Sequence, residues 1–154
     1  MRVQQSVTVN AARAAVWDFV TDPANYCDFL EGTTRWEVVS DEDRGLGARY
    51  RMLLKVGSAE VGGLIEVVEW SPPADMAWSS VTGIDQRGRW MLREASGDRT
   101  RLTFRFAYGV AGGGITAMIA ERVAAPSLRR RLRRSLLNVK QAVEKSAMTG
   151  AINR

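Results

Sequence analysis

One long helix, predicted over residues 115 to about 147 and interrupted at Pro126, constrains this chain more than anything else in it. After the proline, Leu128, Leu132, Leu136, Val139 and Val143 fall at i, i+4, i+8, i+11 and i+15. At about 100° per residue these positions make a single apolar stripe. Arg129, Arg130, Arg131, Arg133 and Arg134 take up most of the remaining circumference. A helix of this kind must lay its stripe on an apolar surface. Everything before it alternates like β-strand, so the expected fold is α+β, with a curved sheet closed around the helix. Such a sheet can leave a hollow against the helix.

Residues 2–9 alternate, with Val3, Gln5, Val7 and Val9 on one side. Asn10 is a suitable N-cap for a helix over residues 11–20, whose apolar face is Ala12, Val16, Phe19 and Val20. Asp22 caps and Pro23 opens a second short helix that runs to about Phe29 and stops at Gly32. Strands are predicted at 34–40, 48–56, 60–70, 76–82, 86–94 and 100–108, separated by Gly, Pro, Asp and Ser turns. The segment 64–70 is apolar on both parities, so its inward side stays open.

Composition removes whole classes of chemistry. The 154-residue chain contains no histidine, so Ser-His and Cys-His nucleophile pairs and His-ligated zinc are excluded. The single cysteine, Cys27, rules out an internal disulfide and suits a reducing compartment. The N-terminal residues are strand-like rather than an apolar leader, and no apolar run is long enough for a membrane span, so a cytoplasmic location is expected. With 22 Lys+Arg against 17 Asp+Glu, the net charge of +5 permits an anionic partner without requiring one. No cofactor or metal is called for.

Several segments carry a family resemblance in their order: Ala15-Val16-Trp17-Asp18-Phe19-Val20-Thr21-Asp22-Pro23, then Gly45-Leu46-Gly47, then Val67-Val68-Glu69-Trp70-Ser71-Pro72-Pro73. A glycine-rich approach to a Pro-containing terminal helix follows. In this the chain resembles the polyketide cyclase/dehydrase group of the START-like (SRPBCC), helix-grip superfamily. The resemblance implies a seven-stranded curved antiparallel sheet wrapped around the C-terminal helix, with two short helices after the first strand. It further implies one domain over residues 1–147, and residues 148–154 are expected to form a disordered tail. Relatives include aromatase/cyclases, lipid and isoprenoid carriers, hormone receptors and ribosome-associated factors, so the fold leaves function to the site.

Strand parity selects the residues that could line a hollow: Tyr50, Met52, Leu54, Trp78, Trp90, Leu92, Leu102, Phe104, Phe106 and Tyr108, with Met118 from the helix. The alternative is that the same bulk fills the core. Arg122 falls on the stripe side of the helix wheel, where an arginine needs an anion or a carboxylate such as Glu66 or Glu69. Tyr50, Tyr108 and Arg122 are the candidate catalytic groups, because a tyrosine in an apolar cavity can donate to an enol or ketone without ionising. In polyketide-cyclising relatives a tyrosine and arginines in the pocket are implicated. Here the stretch after the second helix, Leu30-Glu31-Gly32-Thr33, lacks a tyrosine, and Arg49 and Arg51 lie on the outer parity. Gly112-Gly113-Gly114 lacks the Gly-Lys-Ser/Thr ending of a phosphate loop and reads as a flexible mouth to the cavity.

The leading expectation is binding or transport of a hydrophobic or amphipathic small molecule such as a lipid, an isoprenoid or a polyketide-like ring. The alternative is a cofactor-free cyclase or dehydratase. A third reading has Arg129, Arg130, Arg133 and Arg134 docking on an anionic membrane or a ribosome, although the same arginines would serve to keep the helix dissolved. Nucleic acid is not an expected ligand, since the outer sheet parity has few aromatics.

Overall fold

The computed structural model describes the backbone of residues 2–109 and 115–152, and the side chains of residues 2–109 and 126–150. The glycine run 112–114 and the side chains of Met118 and Arg122 lie outside that set. Strand β1 (Arg2–Val9) leads to α1 (Arg13–Thr21), a 3-10 turn (Pro23–Asn25) and α2 (Tyr26–Phe29). Strands β2 (Thr33–Val38), β3 (Arg49–Val56), β4 (Ala59–Ser71), β5 (Asp75–Ser80), β6 (Asp85–Ala95) and β7 (Arg99–Gly109) follow, and α3 (Ile115–Ile152) ends the chain. The strands form one seven-stranded sheet in the order β1-β7-β6-β5-β4-β3-β2, every pair antiparallel. The sheet is curled into a half-barrel. Its two edges, β1 and β2, are joined by α1 and α2, which cross one end of it.

Parity governs burial as the alternation predicts. Tyr50 and Met52 of β3, Met76 and Trp78 of β5, Trp90 and Leu92 of β6, and Leu102, Phe104 and Phe106 of β7 all point inward and are buried. Leu132, Leu136, Val139 and Val143 of α3 meet them in the same core. The open segment of β4 is settled by a bulge between Val67 and Glu69. Ile65 and Val67 face in, Val68 is exposed, and the extra residue lets Trp70 turn back inward against Trp17, with ring centroids 5.0 Å apart. Glu66 and Glu69 are thereby left on the outer face. Glu66 pairs there with Arg49 at 2.9 Å and Glu69 with Arg89; the expected pairing of either with Arg122 lies outside the described residues.

Two helix boundaries differ from the sequence expectation. Helix α1 begins at Arg13, with Ala12 rather than Asn10 at its N-cap and no side-chain cap. Long-range bonds hold the preceding residues across the sheet end: the Asn10 N–H donates to Glu144 Oε1 at 2.8 Å, and Thr100 Oγ1 donates to the Ala11 carbonyl at 2.8 Å. Asp22 behaves as predicted, accepting from the Ala24 N–H at 3.0 Å ahead of Pro23. Helix α3 runs through Pro126 without a break and on to Ile152, past the end expected near residue 147. Residues 148–152 are helical, where a disordered tail was expected. The proline forfeits one backbone bond, and packing of the following stripe restores the helix.

Polar contacts fix α3 at two places. Ser135, buried within the stripe, accepts from the Glu31 N–H at 2.9 Å and donates to the Arg131 carbonyl at 2.8 Å. Asn138 Nδ2 donates to the Phe29 carbonyl at 3.2 Å. One turn on, Lys140 Nζ donates to the Thr8 carbonyl at 2.8 Å and to Glu144 Oε1 at 2.6 Å. The helix is thus tied to α2 near its middle and to β1 beyond.

The aromatic packing depends on one glycine. A Cβ built on Gly88 would stand 2.1 Å from Cζ2 of Trp78, because the indole lies directly on that backbone. We expect Gly88→Ala to push Trp78 off its seat and to destabilise the protein by about 1–3 kcal/mol, the range for overpacked cores. Urea denaturation checks this; an unchanged midpoint would contradict the packing described.

Candidate functional site

The inner surface is filled at one end and hollow at the other. At the filled end Tyr26 stacks on Trp36 at a centroid distance of 3.9 Å with the rings 5° from parallel. Trp90 lies 4.3 Å from Phe104, and Phe29 closes on Trp90 at 5.9 Å. The Trp90 Nε1–H donates to Tyr26 Oη at 3.0 Å, and the Tyr26 hydroxyl in turn donates to the Val20 carbonyl at 2.5 Å. Here α1 and α2 supply the rings that occupy the space between sheet and helix.

Toward the other end lies a cavity of about 1010 Å³, lined mostly by apolar atoms and open to solvent. That is the upper end of the size usual for small-molecule sites. Met52, Trp78, Phe104 and Phe106 are its floor. The β3–β4 hairpin contributes Leu54, Val56 and Val61; the β5–β6 turn gives Gly83 and Ile84; the end of β7 gives Tyr108. Leu30 and Glu31 after α2, with Leu128, Arg131 and Leu132 of α3, make the facing wall. Backbone runs so close to backbone at the rim that only glycine fits. A Cβ on Gly63 would meet the Thr82 carbonyl oxygen at 2.1 Å, and one on Gly83 would meet that of Gly62 at 2.1 Å.

Of the residues expected to line a hollow, Met52, Leu54, Trp78, Phe104, Phe106 and Tyr108 do so. Trp90, Leu92 and Leu102 face the same way but are packed in the filled core. Tyr50 is also core: its hydroxyl donates to the Asp43 carbonyl at 2.6 Å, outside the cavity wall. Burial, reinforced by Asp43 and opposed by Arg44, pushes its phenol from about 10 up to about 12. Met118 and Arg122 belong to the side chains that are not described. Inward polarity is sparse, and among the described residues the buried Trp78 Nε1 and Gln86 Oε1 have no hydrogen-bond partner. The Gln86 Nε2 amide reaches across to the Met52 sulfur at 3.1 Å.

Sequence reasoning missed Arg131. Counted with the solvent face of α3, it is half-buried at the cavity mouth, and its Nη1 donates to the Lys55 carbonyl. The signal lay in the wheel, since Arg131 is one turn from both Leu128 and Ser135 and so borders the stripe. Its neighbour Arg134 pairs with Glu31 at 2.7 Å, while Arg129, Arg130 and Arg133 are exposed.

The polyketide cyclase/dehydrase and lipid transport family matches residues 1–144 of this sequence. The chain belongs to that family. No match was found among curated proteins. Among solved structures, the protein TTHA0849 from Thermus thermophilus is 19% identical with a TM-score of 0.81, covering 95% of this chain and 99% of that one. The Zhui aromatase/cyclase from Streptomyces sp. R1128 is 22% identical with a TM-score of 0.76, covering 96% of this chain and 95% of its own. A START superfamily protein from Mycobacterium smegmatis is 14% identical with a TM-score of 0.64, covering 96% and 97%. At these identities the likeness is one of fold, and that fold is START-like. No helix among the described residues is long and apolar enough to cross a membrane.

The Tyr50 geometry has a pH consequence. A phenol whose folded pKa stands above its unfolded one stabilises the fold fully below about pH 10, and that stabilisation is lost as pH rises toward 12. We expect wild-type stability to fall over this interval and Tyr50→Phe to fall less. At neutral pH the variant should lose about 0.5–1.5 kcal/mol for the missing hydrogen bond. Denaturant titrations at stepped pH, with phenolate absorbance followed in parallel, check both; identical alkaline slopes would refute the assignment.

Proposed function

We propose that this protein binds a hydrophobic or amphipathic small molecule in the cavity between its sheet and α3, and acts as a carrier rather than a catalyst. The observation behind this reading is the cavity itself: about 1010 Å³, mostly apolar, and open at the mouth. Floor positions of Phe104 and Phe106, with Trp78, offer ring faces and edges to a flat or flexible apolar body. Membership of a family described by both cyclisation and lipid transport supports ligand binding in general terms.

A cofactor-free cyclase or dehydratase is the second reading, favoured by the fold likeness to the Zhui aromatase/cyclase. Such an enzyme works by folding a reactive chain against well-placed polar groups. It would need at least two of Tyr50, Tyr108 and Arg122 to converge on one volume. Tyr50 is committed to Asp43 away from the cavity, and Tyr108 is the candidate that lines it. With Tyr50 withdrawn the enzyme reading rests on Tyr108 and Arg122 alone, and the mostly apolar, open cavity favours the carrier reading.

Native mass spectrometry of gently purified protein should show a co-purifying apolar molecule, and titration with the neutral dye Nile red should saturate one site. Leu128 stands on the helix wall only partly packed, so Leu128→Trp can grow into the hollow without disturbing the core. This variant should weaken dye binding by about tenfold or more, which corresponds to ~1.4 kcal/mol. Full-affinity binding to the blocked variant, or no binding to either protein, would defeat the proposal.

A further inference from the structure

Among the described residues, three charged side chains line the cavity: Glu31, Glu60 and Arg131. Glu31 is paired with Arg134 at 2.7 Å. Glu60 lies directly opposite Lys55 in the β3–β4 register. Arg131 has no carboxylate partner among the described residues; its contact is the neutral Lys55 carbonyl, made through Nη1. The guanidinium passes beside Gly32, where a Cβ would come within 3.0 Å of Nη1, so the left-handed glycine (φ 91°) also makes room for it. Nη1 is held in this way, and among the described residues Nε and Nη2 make no hydrogen bond, at the boundary between apolar cavity and water.

A guanidinium fixed in this way favours a planar, charged oxygen acceptor over a neutral one. It is also placed where an amphipath would keep its head, since a charged group avoids the apolar floor unless it is paired. We propose that Arg131 anchors the oxyanion head of the bound molecule, so that the ligand is an apolar body with a terminal acidic group. This rests on the cavity reading above and narrows it to acids. Fatty acids and flat aromatic acids share that chemistry and differ only in the body that the cavity accepts.

The test uses the full chain and two pairs of probes matched in shape: dodecanoate with dodecanol, and anthracene carboxylate with anthracene methanol. Each is read by displacement of Nile red at neutral pH and low salt. For whichever body binds, Arg131→Gln should weaken the acid by about tenfold or more, as loss of a charge-assisted hydrogen bond implies, and leave the alcohol unchanged. Arg131→Lys should recover part of the preference, and added salt should reduce it in the wild type. An equal loss for acid and alcohol would make Arg131 a wall residue and overturn the inference, as would no loss for either, with the cavity reading intact in both cases. If none of the probes and no dye bind the wild type, the inference and the cavity reading fall together.

Discussion

A mismatch between one helix and the surface it must cover shapes the whole molecule. A curled sheet with an apolar inner face needs a lid, and the chain supplies a single long helix for it. Leu132, Leu136, Val139 and Val143 are all buried in that contact. Full burial of such a side chain is worth roughly 1.5–3 kcal/mol, so the stripe alone fixes which way α3 faces. Ser135 and Lys140 then fix where it lies along its axis, because each satisfies a particular carbonyl or N–H of a neighbouring element.

One helix does not fill the whole trough. At one end the deficit is met by α1 and α2: Tyr26 and Phe29 join Trp36, Trp78 and Trp90 in a continuous set of ring contacts, and Trp17 separately meets Trp70. No comparable element covers the other end among the described residues, and the cavity is what is left. Filled core and open cavity are therefore two outcomes of the same geometry, separated by where the short helices cross. The rim glycines hold the hairpin and the β5–β6 turn at backbone contact, which keeps the open end from being padded by side chains.

The electrostatics follow the same division. On the outer face arginines meet carboxylates across the strands, Arg49 with Glu66 and Arg93 with Asp75, as solvated pairs that contribute little stability each. On α3 most arginines face water. Arg131 differs because the turn at Gly32 and the end of β3 bring a carbonyl to it, so a residue ordinary in sequence becomes a fixed charge at the cavity mouth.

What could be read from the chain alone was sidedness. Strand alternation separated inward from outward residues on β3, β6 and β7, helical spacing marked the stripe, and Asp22-Pro23 marked a helix start. Periodicity is a local property and survives folding wherever one face is buried. It could not orient residues 64–70, since the bulge at Val68 that turns Trp70 inward is a property of the pairing of β4 with β5. Nor could it tell lining from filling: Tyr50 and Met52 share a parity, yet only Met52 reaches the cavity, while the tyrosine hydroxyl is taken by the Asp43 carbonyl in the loop before β3. Position along the trough comes from contacts between residues far apart in the chain, and the partner found by a polar tip depends on the path of a loop, so no periodic pattern encodes either.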